Sequence, residues 1–502
     1  MIYGIKAIIL LFITILSATC ANKRENYPDE NTHIDEQPYA TAWITALDGS
    51  RTFEKMNVSM GYAVQSSFTV RFTGKEHQQV NGFGAAITQA SCYNLLKMDK
   101  TDRTRLLKEM FSPVEGAGSS LIRVCIGGSD FSLDEFTHCD TEGIDNFEIH
   151  RLDKEYLFPV LDEIYAINPD VKIIGSPWSC PKWMKCRMPG GSDSFNLDVT
   201  EEIEYNSWTG GRLRPSCYDD YAEYFVRWIK AMEERGYNIF AVTPQNEPLH
   251  GGNSMSLIMP WKDQRNFIKV LGPAFRKAGI KTKILAFDHN YDYDEIESQE
   301  LYPLKIYADK EASEYIAGSA WHNYGGNVSM LDEIRESAPD KEIYFTEASI
   351  GTWSGDFETS FRKDMKNIFL GTLSRGCSGV TLWNLILDDE NGPNRPKGCS
   401  TCFGAGTIMK NDYSYETLRK NSHWYDIMHC SVAVKPGAVR LETSGFNRTD
   451  ITYLAFRNPD DSYGAIFLSN NDNDQMFVFD METYQVKVTV PKKSVLSLKW
   501  KN

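Results

Sequence analysis

What this 502-residue sequence has least of is positive charge. It carries 53 Lys and Arg against 68 Asp and Glu, a formal net charge of −15, and no Lys/Arg-rich run. Phosphate backbones are bound through a basic footprint, so nucleic acid is excluded as a partner. The glycine-rich phosphate turns GxGxxG and GxxxxGK[ST] are missing too. Their absence argues against an open doubly wound nucleotide-binding sheet, and no cofactor is expected. Cys399 and Cys402 form a CxxC, but neither a second CxxC nor a His pair accompanies it. A metal site there is therefore not expected. Beyond the N-terminus no stretch is long and apolar enough to cross a bilayer.

What is present begins with that N-terminus. Lys6 precedes an apolar run from Ala7 to Leu16, and Ser17, Ala18, Thr19 and Cys20 follow. This is the layout of a secretory signal over residues 1–20. A Cys after small residues suggests a lipoprotein signal with lipid attached at Cys20, although Leu16 stands one position off the usual spacing. The chain is expected to be exported to a bacterial cell envelope, meeting the membrane only through that anchor. Residues 21–39 are polar and aperiodic, as a flexible tether is. Eleven Cys are present. Export permits disulfides, and Cys180/Cys186 and Cys399/Cys402 are close in sequence, with connectivity left open.

Between residues 76 and 430, eight short apolar runs alternate with amphipathic helical stretches. The runs are 80–86, 120–127, 171–178, 239–244, 283–289, 316–324, 342–347 and 379–385. Most are continuous rather than alternating, as strands of a parallel sheet buried on both faces are. Eight strand–helix units predict an α/β fold, a (β/α)8 TIM barrel. Residues 431–502 change character: six short alternating segments separated by turn signals predict a side antiparallel β-sandwich domain. Residues 40–75 alternate as well and are expected to add N-terminal strands to it. Bracing the barrel is the expected role of this domain.

In a (β/α)8 barrel the active site gathers at the C-terminal ends of the strands. Glu247 follows the fourth run within Thr243–Pro248, and Glu347 ends the seventh. Two such carboxyls face each other across the mouth, which is the arrangement glycosidic cleavage needs. Glu347 is read as the nucleophile and Glu247 as the acid/base. A dead glycan-binding barrel is the competing class, and its mark would be loss of one carboxylate; both are present. Arg123 lies inside the second run, where a buried Arg either supports Glu347 or forms a barrel-core ion pair. Asn246 is placed to bind a sugar 2-hydroxyl and Tyr324 to donate to Glu347. Trp178 and Trp383 either stack on a sugar or pack the floor. Asp130 is a hydroxyl ligand or a helix N-cap, and His322 a site residue or a satisfied structural histidine.

The motifs then show a resemblance. They are Asn81–Ala86 (NGFGAA), Ile122–Val124 with Gly127–Ser132, Gly175–Lys185 (GSPWSCPKWMK), Val242–Pro248, His322–Tyr324, Phe345–Ala348 and Leu382–Leu385. Together they resemble glycoside hydrolase family 30, the group holding lysosomal glucosylceramidase and microbial endo-β-1,6-glucanases. The likeness runs from about residue 40 to the C-terminus. It implies a barrel with a side sandwich, retention of configuration, and the two catalytic roles given above. It also implies glucose-pocket roles for Asp130, Trp178, Asn246, His322, Tyr324 and Trp383. Animal glucosylceramidases carry Ala-Glu before Asn-Glu-Pro, whereas this chain has Pro244 and Gln245 there, which looks more like the β-1,6-glucanases. The expected substrate is a β-linked glucan, above all β-1,6-glucan, with glucosylceramide or another β-glucoside as the alternative.

Overall fold

The computed structural model describes residues 38–61, 68–191, 193–446 and 448–502. The signal segment, Cys20 and the tether up to residue 37 lie outside the described residues. The compact unit that is described runs from Pro38 to Asn502.

Two sheets organise it. The strands β1 (Tyr39–Ala46) and β2 (Thr69–Val80) come first, followed by β3 (Phe83–Ala85), β4 (Leu121–Cys125), β5 (Lys172–Ser176), β6 (Asn238–Val242), β7 (Lys283–Asn290), β8 (Ile316–His322), β9 (Glu342–Glu347) and β10 (Cys377–Leu382). The chain ends in β11 (Ala438–Ser444), β12 (Ile451–Arg457), β13 (Tyr463–Ser469), β14 (Gln475–Asp480), β15 (Gln485–Val490) and β16 (Ser494–Lys501). Strands β3 to β10 form a parallel eight-stranded sheet whose neighbours follow chain order, except that β3 lies beside β10. The cylinder closes where Ala86 bridges Arg123 and the Ser120 N–H donates to the Phe83 carbonyl at 3.2 Å. Gly84 permits that closure, because a Cβ there would lie 2.1 Å from the Leu121 carbonyl oxygen.

The barrel strands are buried along their length, as β4 (LIRVC) and β10 (CSGVTL) show. This two-sided burial explains why they read as unbroken apolar runs. Leu121, Ile174, Ala241, Leu285, Ala320 and Tyr344 pack against one another inside the barrel. Helices cover its outside; α1 (Tyr218–Glu233) and α2 (Trp261–Ala278) pack against each other there. Helix α3 (Phe357–Asp364) packs on α4 (Ser422–Ala433), which leads into the second sheet.

The second sheet has ten strands. Its order is 54–57, β1, β16, β13, β12, β11, β2, β14, β15, 59–61. Every neighbouring pair is antiparallel except β2 with β14, which run parallel. Here burial alternates, as in β15 (QVKVTV), because one face meets a core and the other water. Val70, Phe467, Phe477, Phe479, Leu498 and Trp500 fill that core. Tyr39 already belongs to β1, and β2 runs past residue 75 to Val80 before handing the chain to the barrel.

Candidate active site

Glu247 leaves β6 with φ of 45°, a left-handed conformation uncommon for a residue with a side chain. Two backbone hydrogen bonds hold it there. Its N–H donates to the Asp288 carbonyl at 3.0 Å, and its carbonyl accepts from His250 N–H at 2.9 Å. Glu347 is the last residue of β9. One imidazole nitrogen touches both carboxyls: His322 Nδ1 lies 3.4 Å from Glu247 Oε1 and 4.0 Å from Glu347 Oε1. The structure therefore brings the two glutamates together at one end of the barrel.

Arg123, fully buried on β4, reaches across the mouth to Glu347 through Nη1. Its Nη2 donates to Asp288 Oδ2 at 2.8 Å and to Asn246 Oδ1 at 2.7 Å. The second bond orients the Asn246 amide, leaving its NH2 as the remaining polar group. Tyr324 donates to Glu347 Oε1 at 3.0 Å while 43% of the residue stays exposed. Trp178 and Trp383 are nearly buried and stack on each other, with centroids 4.9 Å apart and planes at 23°. The Arg123 guanidinium lies 4.9 Å from the Trp178 ring centroid and 5.8 Å from that of Trp383. No helix begins after Asp130, so the N-cap reading falls.

Asp288 is the site residue that sequence reasoning missed. It lies in a bulge of β7, where Phe287 and Asp288 take φ of 76° and 77° and the register with β8 slips. Five side chains converge on its carboxylate. Besides Arg123, Ser176 and Thr243 donate to Oδ2 at 2.8 and 2.6 Å, Thr346 donates to Oδ1 at 2.6 Å, and His322 Nε2 sits 3.1 Å from Oδ1. The signal was available: an Asp inside an otherwise apolar barrel strand, the same anomaly that singled out Arg123.

Burial alone would raise the Asp288 carboxyl, but Arg123, His322 and Thr243 hold it well below the usual range. Burial likewise depresses His322, yet Glu347, Asp288 and Glu247 together lift it to about 9, an imidazolium at neutral pH. For Glu347, burial outweighs the nearby cations His322 and Arg123, with repulsion from Glu247 and Asp288 adding to it, and the carboxyl is raised. For Glu247, burial is overcome chiefly by the neighbouring His322 imidazolium, and the carboxyl is lowered. Asp130, buried and then repelled by Glu347 and Glu247, is pushed up to about 8.

Two loops meet at this mouth. Asn253 Nδ2 lies 3.4 Å from Glu247 Oε2. Its neighbour Ser254 donates to Glu135 Oε1 at 2.8 Å, and Glu135 pairs with Arg395 of the loop that follows β10. That loop contains the Cys399–Cys402 disulfide. Cys180 and Cys186 are separate buried thiols instead, so the second pairing allowed by sequence proximity does not form.

This geometry is that of a barrel with paired carboxyls at its mouth. Residues 80–434 match the Glycosyl hydrolase family 30 TIM-barrel domain, and residues 437–498 match the family's beta sandwich domain. The chain belongs to glycoside hydrolase family 30 and is a glycoside hydrolase. Among its relatives, the solved endo-beta1,6-glucanase BT3312 shares 46% identity, with a TM-score of 0.87, over 92% of this chain and 100% of that one. Endo-1,6-beta-D-glucanase neg1 of Aspergillus fumigatus is 29% identical over 440 residues, 83% of this chain and 84% of the relative. Lysosomal acid glucosylceramidase of Mus musculus is 25% identical over 489 residues, 92% of this chain and 90% of the relative.

Proposed function

We propose that this hydrolase is an exported endo-β-1,6-glucanase that cleaves β-1,6-glucan with retention, Glu347 being the nucleophile and Glu247 the acid/base. The observation that carries the role assignment is the unequal donor set of the two carboxyls. Glu347 receives Arg123 and Tyr324 directly, which suits a group that must attack as an anion. Among the described residues, Glu247 faces His322 and Asn253, each at 3.4 Å, and can exchange a proton. In the empty site the His322 imidazolium keeps Glu247 ionised. Passing that one proton from Nδ1 to Glu247 Oε1 produces the reactive form without drawing on solvent. Glu347 then attacks the anomeric carbon, and the C–O bond breaks as Glu247 protonates the leaving oxygen. Water, deprotonated by Glu247, next hydrolyses the glycosyl-enzyme. Asp130, Asn246, Trp178 and Trp383 line the pocket for the sugar that reacts, and Arg123 is a positioning residue.

The likeness to BT3312 over all of that chain supports the β-1,6-glucan reading. Glucosylceramide is the second reading, favoured by the coverage of the mouse enzyme. A time course on linear β-1,6-glucan, with glucosylceramide in parallel, separates them. A ladder of β-1,6-linked oligosaccharides supports the proposal; glucose released only from the lipid overturns the substrate. Glu347→Gln should lower kcat/KM by about 10³-fold or more while sugar binding persists. Unchanged hydrolysis would remove Glu347 from its role. Export and lipid attachment at Cys20 rest on the N-terminal pattern alone, and fatty-acid labelling that Cys20→Ala abolishes is the result expected.

A further inference from the structure

A second cluster of titratable groups sits where the barrel meets the ten-stranded sheet. Asp364 ends α3, and His423 and Asp426 lie near the start of α4, which packs on α3 and on β13 and β16. His423 Nε2 stands 3.1 Å from Asp364 Oδ2. One candidate ligand atom from each of Asp364, His423 and Asp426 lies within 4.8 Å of the other two. His423 and Asp426 are wholly shielded from solvent, while the Asp364 side chain keeps 10% exposure. Neither carboxylate oxygen of Asp426 has a hydrogen-bond partner among the described residues. The same holds for His423 Nδ1 and for Ser422 Oγ, one turn earlier on the same helix.

Elementary electrostatics narrows what such a cluster is for. An ionised carboxylate so deeply buried must be paired or must coordinate a metal. The one imidazole already faces Asp364. Protonating Asp426 removes its charge but leaves its second oxygen and His423 Nδ1 buried without partners. A divalent cation resolves both difficulties at once. It neutralises two carboxylates and accepts a lone pair from each residue, and the exposed edge of Asp364 gives access for the ion and for a coordinating water. One imidazole with two carboxylates suits zinc or manganese; calcium and magnesium favour shells made of oxygen alone.

We propose that Asp364, His423 and Asp426 bind one divalent cation of the zinc–manganese class, a structural site that clamps α4 onto α3. Nothing in this proposal depends on the carboxylate pair of the active site, and its test does not use activity. The tag-free full chain, expressed with Zn²⁺ and Mn²⁺ in the medium, is assayed for metal by plasma mass spectrometry. Thermal unfolding is then followed before and after chelation with EDTA, and again on adding back Zn²⁺, Mn²⁺ or Ca²⁺. About one equivalent of Zn²⁺ or Mn²⁺ per chain is expected, with Tm falling by about 5 °C on chelation and returning with Zn²⁺ or Mn²⁺ but not Ca²⁺. Asp426→Asn should hold no metal and melt like the chelated wild type, indifferent to EDTA. A wild-type chain that contains no metal and shows no Tm shift with any of the three ions overturns the proposal. So does an Asp426→Asn variant that retains its metal. Should that variant fail to fold, the wild-type metal content and titration decide alone.

Discussion

Asp288 shows how much one side chain arranges at the barrel mouth. It anchors Arg123, which faces Glu347, and it anchors His322, which faces Glu247. Each of the two glutamates at the mouth is thus linked to the same aspartate through a single side chain. His322 reaches about 9 because Glu347, Asp288 and Glu247 outweigh the effect of burial. A histidine raised in this way adds stability that is fully present below its unfolded value of about 6.5 and is lost as pH rises through the folded value. Asp288→Asn removes one of the three anions, so the folded value must drop toward 6.5. Breaking a buried pair also costs about 3–5 kcal/mol, less where another partner remains, as Glu347 does for Arg123. Thermal melts of wild type and Asp288→Asn from pH 5 to 10 test this. The Tm gap should be widest near pH 6 and narrow toward pH 10. Parallel curves would mean that His322 does not owe its charge to Asp288.

The elements differ in how visibly the sequence announces them. Most of the eight barrel strands are legible because burial on both faces leaves a largely continuous apolar run, and the C-terminal strands are legible because burial on one face leaves alternation. Glu247 and Glu347 are legible as strand-end carboxyls. Asp288 hides in its run because a bulge, invisible to periodicity, turns it inward. Two-residue strands have no period at all. Among these are 350–351 and 402–403, which pair Gly351 with Cys402 just beyond Glu347. Asp364 and His423 stand far apart in sequence, and only the packing of two helices joins them. The disulfide loop matters for what it holds: Gly398 packs against the Asp130 side chain, and the Arg395 N–H donates to the Asp130 carbonyl at 2.6 Å. Cys399 and Cys402 close so short a loop that their bond constrains the unfolded chain little. A Cys399→Ser/Cys402→Ser double variant should therefore melt close to wild type. Its KM for glucan should rise about tenfold as Asp130 loses its placement, with kcat little changed. A KM that stays at the wild-type value would leave the disulfide without influence on the sugar pocket.

Across the whole molecule, barrel and sheet share parts rather than merely touch. Strand β2 pairs with β11 and β14 and then passes through Asn81 and Gly82 into β3 of the barrel. Helix α4 packs on β3 and also on β13 and β16. Its His429 is the pin. Ser497 Oγ donates to the His429 carbonyl at 2.7 Å, so its proton is committed, and His429 Nδ1, 2.9 Å away, must be the donor to that oxygen. Nε2 is then the acceptor for Thr45 Oγ1 at 2.8 Å, which binds β1 to the helix. This tautomer requires a neutral ring, and burial lowers His429 to about 3 accordingly. A histidine depressed in this way contributes stability that is complete above about 6.5 and is lost as pH falls toward 3, because only the unfolded chain takes up the proton. His429→Phe removes both bonds and should destabilise the whole chain by about 2–4 kcal/mol at pH 7. The loss should appear as a lower midpoint of one transition seen alike by tryptophan fluorescence and calorimetry, since both sheets lose packing when the helix leaves. Between pH 7 and 4.5 the wild type should lose stability faster than the variant, so the two midpoints converge. His138, also lowered to about 3 by burial, remains in both proteins and sets the slope that persists. Midpoints that stay equally far apart down to pH 4.5 would mean that His429 is not held neutral. Two separate transitions in the wild type would mean that barrel and sheet fold independently, and the shared strand and helix would then carry no coupling.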